Sequence, residues 1–322
     1  MTTCTIIDDF KPLPVTETNT GERRRIGCEV EFAGLDEISV ADALQTTLGG
    51  DIDQEHAHLA YLRDSRIGTL KIVLDTALPK DPANPATRAM TGVLAKLIPV
   101  EIVTQPLLLD ELGTFSAALT ALETQGAVGS QEAALYGFGV HLNVESPGQA
   151  VPHTAKTIRA FAALEPYLRD VFPINLTRRI MPFIKTWPDA FARDLFEHRP
   201  TTLRHVMVIA ADHVPSRNFG LDLYPMFKDA WPQDFDEWFA QDSATKARPS
   251  FHFRLPDSRL GERGWSLVEA WNMWRLIEEV AQDDHTLSLL EDAWLRAHSP
   301  NRSTTPADAL AQTKAVLRAH PS

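Results

Sequence analysis

The sequence contains only two cysteines, Cys4 and Cys28, among 322 residues. Zinc held by cysteine thiolates is therefore excluded by the count alone. Cys28 shares one face of a predicted strand with the apolar residues Ile26, Val30 and Phe32, so its side chain is expected to face the core rather than to form a disulfide with the tail. A reducing, cytoplasmic location is the expectation that follows from this cysteine usage.

Basic charge and long apolar runs are also scarce. The net charge is −12 and the sequence pI is about 5.4, which argues against nucleic acid or an anionic membrane as the main partner because both attract basic patches. No apolar stretch approaches the ~20 residues of a transmembrane helix, and no signal peptide is apparent. The phosphate-binding P-loop, the dinucleotide-binding glycine fingerprint and the Gly-x-Ser-x-Gly motif are absent. The sequence therefore supports neither nucleotide binding by a P-loop or dinucleotide-binding fold nor serine-hydrolase chemistry.

The sequence does contain a short strand with two acids on one face. In the segment RIGCEVEF, residues 25–32, side chains at alternate positions face opposite sides. Glu29 and Glu31 share one side, roughly 6–7 Å apart along the strand. The other side faces a core and consists of Ile26, Cys28, Val30 and Phe32. Two Mg²⁺ ions that share a phosphate are about 3.5–4 Å apart, a gap that such a pair can flank. The alternative is an edge strand with a solvated acidic face.

Two later segments follow the same pattern. The segment YGFGVHLNVE places two glycines, His141 and Asn143 on the face opposite its apolar residues, and FHFRL places His252 and Arg254 together. Glycine weakens a strand unless a ligand or a backbone must come close. A half-exposed strand with a stray histidine would explain one segment alone. Three such strands predict a sheet with a core on one side and a charged, metal-binding site on the other.

Strand and helix patterns mix without a strict βαβ rhythm, which predicts an α+β fold with a largely antiparallel sheet. Residues 1–22 are predicted to form an N-terminal arm, and residues 23–322 a single domain with a helical region at about 265–320. The predicted strands are 24–33, 58–63, 69–74, 100–105, 136–145, 205–210, 219–227 (strand or extended loop) and 251–255. The predicted helices are 39–48, with Ser39 as its cap, 86–97, 107–124, 152–171, 265–281, 287–297 and 307–320.

Five segments follow one another along the chain: IGCEVEF, VEIVTQP, GVHLN, RNFGLDL and FHFRL. In this order they resemble the amidoligase branch of the glutamine synthetase and glutamate–cysteine ligase superfamily. Their counterparts there are Glu-x-Glu-Phe, Glu-[Val/Ile]-Val-Ser-x-Pro, Gly-x-His-x-[Asn/His], Arg-x-x-x-Leu-Asn-Leu and Glu-Phe-Arg. The match spans residues 24 to about 280. The resemblance implies a glutamine-synthetase-like sheet with one face forming the active site and helices packed on the other.

The resemblance also implies a role for each matched residue. Glu29, Glu31 and Glu101 would be the carboxylate ligands of Mg²⁺. His141 would bind a second metal or the phosphates of ATP, and Asn143 would support it. These five residues come from three different strands, so the expected site depends on how those strands pair.

Two matched arginines are expected to handle anions. Arg254 would contact the nucleotide phosphates and stabilise charge during phosphoryl transfer, and Arg217 would hold the substrate carboxylate or the acyl phosphate. His252, expected as a further metal ligand, stands where the family usually has Glu, and Mg²⁺ prefers oxygen to imidazole. Three consequences are open: the second metal is Mn²⁺-like, the metal site has lost part of its ligand set, or the protein has lost some activity. Asp222 in place of Asn is a milder departure.

The activity implied is ATP-dependent joining of a carboxylate to an amine through an acyl phosphate, catalysed mainly by positioning and charge screening. The substrates would be small molecules or peptides, and the segment 172–200 is the expected place for their pocket. One alternative is a metal-dependent amide or ester hydrolase that uses the same acids and His141 to activate water. The other is a non-catalytic relative that binds a nucleotide or a peptide.

Further polar residues permit both a functional and a structural interpretation. Asp64 and Ser65 are equally compatible with a substrate contact and with a plain turn, since both residues favour turns. For His56 and His58 the expectation is a polar hairpin, and for Lys71 and Asp75 it is a surface ion pair. For Arg178, Arg179 and Lys185 it is a solvated basic stretch.

Overall fold

The computed structural model describes residues 10–56, 58–74, 99–130, 137–172, 174–180, 182–299 and 304–319. In these ranges, eight strands form one antiparallel sheet in the spatial order β2-β3-β4-β5-β1-β6-β8-β7. The strands are β1 (Ile26–Phe32), β2 (Asp51–His56), β3 (Leu59–Ser65), β4 (Gly68–Leu74), β5 (Val100–Thr104), β6 (Val140–Glu145), β7 (Leu221–Asp222) and β8 (Ser250–Phe253).

Eleven helices accompany the sheet within the described ranges. They are α1 (Glu37–Leu48), α2 (Leu109–Glu123), α3 (Pro152–Val171), α4 (Leu176–Ile180), α5 (Asp189–His198), α6 (Leu203–His213), α7 (Tyr224–Ala230), α8 (Pro232–Trp238), α9 (Leu267–Gln282), α10 (Asp284–His298) and α11 (Pro306–Ala319). None of these described helices combines the length and the apolar character needed to cross a membrane.

Strand β1 lies in the middle of the sheet, between β5 and β6. Its alternation divides the two faces as the sequence predicts: Cys28, Val30 and Phe32 are fully buried, whereas Glu29 and Glu31 are only partly so. Burying every second residue fixes the register, because a slip of one position would turn the acids into the core. The pattern of β1 therefore decides which side of the sheet carries charge.

Helices cover the apolar face of the sheet. Helix α1 packs on β3 and β4, and Trp274 of α9 lies with its ring centroid 5.0 Å from Phe251 and 5.5 Å from Phe253 of β8. From α3, Phe161 meets Phe253 edge-on at 6.1 Å. Aromatic side chains bury large apolar areas, so these contacts fasten the helices to the face opposite the acids.

The helical side of the sheet also contains buried charged side chains, each with several hydrogen-bonding partners. Glu278 of α9 accepts hydrogen bonds from Arg24 at 2.7 and 2.8 Å and from the Trp274 indole at 2.9 Å, and His153 Nε2 lies 3.2 Å away. Arg159 of α3 donates to both oxygens of Glu291 on α10, at 2.7 and 2.8 Å. Buried charges require such pairing.

The expected α+β class and the antiparallel sheet are confirmed, and most predicted elements agree within a few residues. One strand prediction was wrong: residues 205–210 lie within helix α6. The β-branched run there favours a strand, but Thr202 caps the helix by accepting from the His205 amide. Its buried residues Leu203, Val206, Met207 and Ala210 recur at helical spacing.

Two smaller predictions also need correction, and one strand went unpredicted. The segment 219–227 divides into the two-residue strand β7 and the helix α7, which has Pro225 in its first turn. The cap of α1 is Asp36 and not Ser39, whose amide donates to the Asp36 carboxylate at 2.7 Å. Strand β2 went unpredicted because it is almost wholly polar and exposed. The predicted helix 86–97 lies outside the described residues.

Candidate active site

The polar face of the sheet brings together residues from five strands that are far apart in sequence. Directly opposed residues in antiparallel strands point to the same side. Glu29 opposes His141, Asn143 opposes His252, and His252 opposes Asp222 on β7. On the other flank of β1, Glu31 opposes Glu101 of β5. Cross-strand register therefore assembles in one place the ligand-type residues that the sequence presents separately.

Glu29 lies at the centre of this cluster. Its Oε2 is 2.9 Å from His141 Nδ1, and its Oε1 accepts from the Asn143 side-chain amide at 2.8 Å. Burial opposes the charged form of Glu29, but the hydrogen bond and the charge of His141, together with the hydrogen bond from the Asn143 amide, hold the pKa of this carboxyl well below its usual range. Glu29 is accordingly a carboxylate held ionised by neighbours that can also bind a cation.

Two more carboxylates lie beside Glu29 with little to neutralise them. Glu31 accepts a hydrogen bond from the Gly139 amide at 2.7 Å. Burial and the charges of Glu29 and Glu31 outweigh the opposing charges of His141 and Lys71, and raise the pKa of Glu101 to about 7. Among the described residues, no lysine or arginine forms an ion pair with Glu31 or Glu101. The charges of Glu29 and Glu31 therefore disfavour ionisation of Glu101, and a cation bound beside these acids would reduce that repulsion.

Asp222 holds three cationic or imidazole side chains at the other end of the cluster. This completely buried carboxylate accepts from Arg254 at 2.8 Å and from Arg217 at 3.1 Å, and His252 Nδ1 lies 3.3 Å from it. Burial opposes its ionisation, but the hydrogen bond with His252 and the nearby arginine charges hold the pKa of Asp222 below its usual range. Asp222 therefore orients both arginines that the sequence assigns to anion handling.

His252 is buried with one nitrogen in use and one without a partner. Nδ1 faces Asp222 and Arg254, whereas Nε2 makes no hydrogen bond and lies 4.0 Å from Glu29 Oε2. The His252 and His141 rings meet edge-on with centroids 5.3 Å apart. Burial and the Arg254 charge outweigh the opposing effect of Asp222 and lower the pKa of His252 to about 4, so a neutral imidazole faces the cluster at neutral pH.

The two departures from the family pattern contact each other. His252, where Glu is usual, and Asp222, where Asn is usual, are cross-strand partners on β8 and β7. The two side chains approach to 3.3 Å, between His252 Nδ1 and the Asp222 carboxylate.

A cavity of about 410 Å³ opens onto this cluster. Its lining contains the predicted residues Glu29, His141, Asn143, Arg217, His252 and Arg254. Sequence reasoning missed others in the same lining: Phe183, Asn218, Lys246 and Arg248. Arg248 Nη1 lies 3.7 Å from Glu29 Oε1. The one available signal was the basic pair Lys246 and Arg248 directly before β8 in so acidic a chain; Phe183 falls in the segment 172–200 where a substrate pocket was expected.

A second cavity, of about 220 Å³, adjoins the first and shares His141, Phe183 and Arg254 with it. Arg178 lines it, but as a structural group: this buried guanidinium donates to Asp257 and to the carbonyls of Arg254, Leu255 and Pro256. Arg178 is therefore neither a free phosphate clamp nor a solvated basic residue. The glycines before β6 make its room, since a Cβ on Gly137 would lie 2.0 Å from Arg178 Cγ. The close approach that these glycines predicted is thus made by a side chain of the protein.

The remaining candidates take structural positions. Ser65 donates to the Gly68 carbonyl within the turn between β3 and β4, so the plain-turn interpretation describes its contacts. His58 Nδ1 lies 3.6 Å from Glu37 Oε1, away from the cluster. Lys71 lies on the polar face and opposes Val103 of β5, while Asp75 lies outside the described residues. Arg179 donates to the Ile174 carbonyl, and Lys185 forms a backbone bridge with Phe219.

The fold and the cluster define an α+β protein with carboxylates, imidazoles and arginines gathered on one face of an antiparallel sheet. A family model described as "putative amidoligase enzyme" matches residues 22–276, more than three quarters of the chain. The chain belongs to this amidoligase family, so the family resemblance of the five short segments is confirmed. No curated protein matches the sequence.

Proposed function

We propose that this protein is an ATP- and Mg²⁺-dependent carboxylate–amine ligase that works through an acyl phosphate. One observation carries the proposal: acids that suit cations and bases that suit oxyanions line the same cavity. Glu29 lies in its lining together with Arg217 and Arg254, and Glu31 and Glu101 adjoin Glu29 across β1 and β5. Membership of the amidoligase family supports ligase chemistry.

The proposed reaction explains why both kinds of residue are needed. A carboxylate is a poor electrophile, so the γ-phosphoryl group of ATP is first moved onto a carboxylate oxygen, and ADP leaves. The amine nitrogen then attacks the carbonyl carbon, the bond to the phosphate oxygen breaks, and the amine loses a proton. The first step brings two anions together, and its barrier falls when their repulsion is screened and their geometry is fixed.

The metal-binding part of the proposal assigns Glu29, Glu31 and Glu101 to Mg²⁺, or to Mn²⁺ in its place. The support for this assignment is charge: Glu29 and Glu31 raise the pKa of Glu101, and the ion pair that these acids make with a lysine or arginine among the described residues is that of Glu29 with Arg248, at 3.7 Å. A divalent cation held by these carboxylates would supply positive charge that reduces the repulsion between the two anions. His141 and Asn143 hold Glu29 in a fixed orientation toward the cavity.

The anion-binding part assigns Arg254 to the transferring phosphoryl group and Arg217 to the substrate carboxylate. Both guanidinium groups are oriented by hydrogen bonds to Asp222, which leaves the Arg254 Nε without a partner in the described structure. A pre-oriented arginine stabilises developing charge without reorganising during the reaction. The substrates would be a small-molecule or peptide carboxylate and an amine.

The proposal is tested by measuring phosphate release from Mg·ATP and Mn·ATP, with and without mixtures of amino acids, polyamines and small peptides. Release should require both an acid and an amine, and Glu29→Gln should reduce it by more than about 100-fold because a charge acting in the transition state is removed. Glu55→Gln is the matched control, since Glu55 is exposed on β2 at the edge of the sheet. Failure to bind ATP with either metal would exclude the ligase.

A metal-dependent amide or ester hydrolase is the second candidate, and one observation favours it. Glu29, His141 and His252 offer one ligand atom each within 4.8 Å of one another, a set that can hold a metal with a bound water. A hydrolase would cleave amides or esters without ATP and without an added amine. ATP binding with no phosphate release from any mixture would instead favour a non-catalytic relative.

A further inference from the structure

We propose that the smaller cavity, of about 220 Å³, is the pocket for the amine substrate, and that Phe183 selects an amine with a compact apolar body. This inference rests on the proposed ligase and deepens it by naming the class of amine. Amine binding and ATP binding are measured separately, so its failure can be distinguished from failure of the ligase.

Phe183 is a large apolar side chain that lies open to solvent beside charged residues. It is 54% exposed, and a ring left exposed forgoes the stabilisation that burial gives. In the described part of the chain, three other large apolar residues are exposed: Val171, Leu176 and Val208. Of the four, Phe183 is the one in the lining of the cavities on the polar face. A ligand that packs on the ring would bury it.

The backbone around Phe183 is fixed, so the ring is presented from a set place. The next residue, Ile184, is buried, and its carbonyl accepts from Arg169 Nη2 at 2.7 Å. The Lys185 amide donates to the Asn218 carbonyl at 3.1 Å. A contact surface that is already ordered loses little entropy when a ligand binds.

The larger cavity suits the anionic reactants. In addition to Arg254, its lining contains Arg217, Lys246 and Arg248, and the described lining of the smaller cavity contains none of these three. A carboxylate or a phosphate is attracted by such a group of cations. ATP and the acid substrate are therefore assigned to the larger cavity.

The smaller cavity has a lining that suits an amine. Its two arginines, Arg178 and Arg254, are each paired with a buried aspartate, at 2.7 and 2.8 Å. Phe183 and Ile184 supply an apolar wall, and Glu31 is the acid of this lining. An amine attacks as the uncharged base, so an apolar wall and paired charges suit it, whereas a second anion would need an unpaired cation.

The two cavities meet at the residues that the proposed reaction uses. His141, Phe183 and Arg254 line both of them. Arg254 is assigned to the transferring phosphoryl group, so an amine in the smaller cavity would lie next to the acyl phosphate in the larger one. Holding the two reactants side by side makes their reaction effectively unimolecular. The volume of about 220 Å³ suits a compact amine.

The test compares two amines of equal charge, methylamine and isobutylamine, by ligand-observed NMR titration in the presence of Mg²⁺. The wild type should bind isobutylamine more tightly, because its branched body packs on Phe183. Phe183→Ala should reduce this preference by about five- to tenfold. Leu176→Ala is the matched control and should leave the preference unchanged, since Leu176 is 77% exposed in α4 and lies outside the described lining of both cavities.

Three results would overturn the assignment. The first is equal affinity of the wild type for the two amines, which depends on no variant. The second is an unchanged preference in a Phe183→Ala protein whose fold is verified by circular dichroism. The third is weaker ATP binding by Phe183→Ala with unchanged isobutylamine binding, which would place the ring against the nucleotide base. ATP binding to the wild type is measured in parallel by calorimetry and decides the ligase, whereas the isobutylamine preference decides the pocket.

Discussion

Two carboxylates in this protein, Glu278 and Glu29, are each held by several side chains but differ in the charge of those side chains. Glu278 lies on the helical side and is met by the fully charged Arg24, the Trp274 indole and His153. Glu29 lies on the polar face and is held by the neutral amide of Asn143 and the ring of His141. Glu278 therefore has a buried arginine partner, whereas the arginine paired with Glu29 is the half-exposed Arg248, at 3.7 Å. We expect the stability of the protein to depend on the two carboxylates to different extents.

Removing the charge of each carboxylate in turn separates the two surroundings. Glu278→Gln should lower the free energy of unfolding by about 3–5 kcal/mol, because it leaves the buried Arg24 charge without its partner. Glu29→Gln should change stability far less, since no buried arginine depends on it. Urea unfolding of both variants and the wild type measures the difference. Equal losses in the two variants would contradict the distinction.

Replacing Glu101 in the candidate site should raise the free energy of unfolding by an amount that depends on pH. Glu101 has a folded pKa raised from 4.5 to about 7. Its favourable contribution is complete below pH 4.5 and is lost as the pH rises through about 7. Metal-free Glu101→Gln should therefore be more stable than the wild type by up to about 2–3 kcal/mol above neutral pH, and similar to it near pH 4.5.

Urea unfolding across this pH range, with and without Mg²⁺ or Mn²⁺, measures the Glu101 effect. The added ion should stabilise the wild type more than Glu101→Gln, because the ion replaces the repulsion among the acids with attraction. Glu111→Gln is a control acid, since its carboxylate accepts from the Leu108 amide at the start of α2 and lies outside the cluster. A wild type that is insensitive to both pH and metal would show that the acids do not interact in this way.

A third effect concerns Arg178, a compensated ion that lies beside the candidate site. Gly137→Ala should destabilise the protein by about 1–3 kcal/mol, because its Cβ would overlap Arg178 Cγ and come within 3.1 Å of Arg178 Cα. Gly113→Ala is the matched control: it lies inside α2 with no atom near its added Cβ, and should stabilise by about 0.5–1 kcal/mol. Thermal unfolding of the two variants should give shifts of opposite sign.

The sequence was sufficient to predict those features that depend on alternation within one strand. Glu29, His141 and His252 each stand out because a buried face fixes every second residue on the other side. The contacts among them depend on cross-strand register, and no local pattern in the chain specifies that Glu29 opposes His141 or that Asp222 opposes His252.

What the sequence did not indicate arises from long-range packing. The burial of Arg178 depends on Asp257 and on carbonyls more than seventy residues away. Lys246 and Arg248 reach the cavity from a segment without regular structure. In α6, a β-branched run becomes helical because its buried residues fit the core at helical spacing, which tertiary packing decides rather than propensity.

A weaker effect is expected at Arg248, an exposed residue of the cavity lining. Arg248 is 46% exposed and lies 3.7 Å from Glu29, so solvent screens much of its charge. Arg248→Gln should raise the KM for an anionic substrate by about fivefold, leave kcat nearly unchanged, and weaken the salt dependence of KM. Arg63→Gln is the control, because Arg63 is similarly exposed and pairs with Asp53 between β3 and β2. A large loss of kcat in Arg248→Gln would contradict this expectation and place the guanidinium against the reacting groups. Losing an interaction that is made only in the transition state lowers kcat, whereas losing one made equally in substrate binding raises KM.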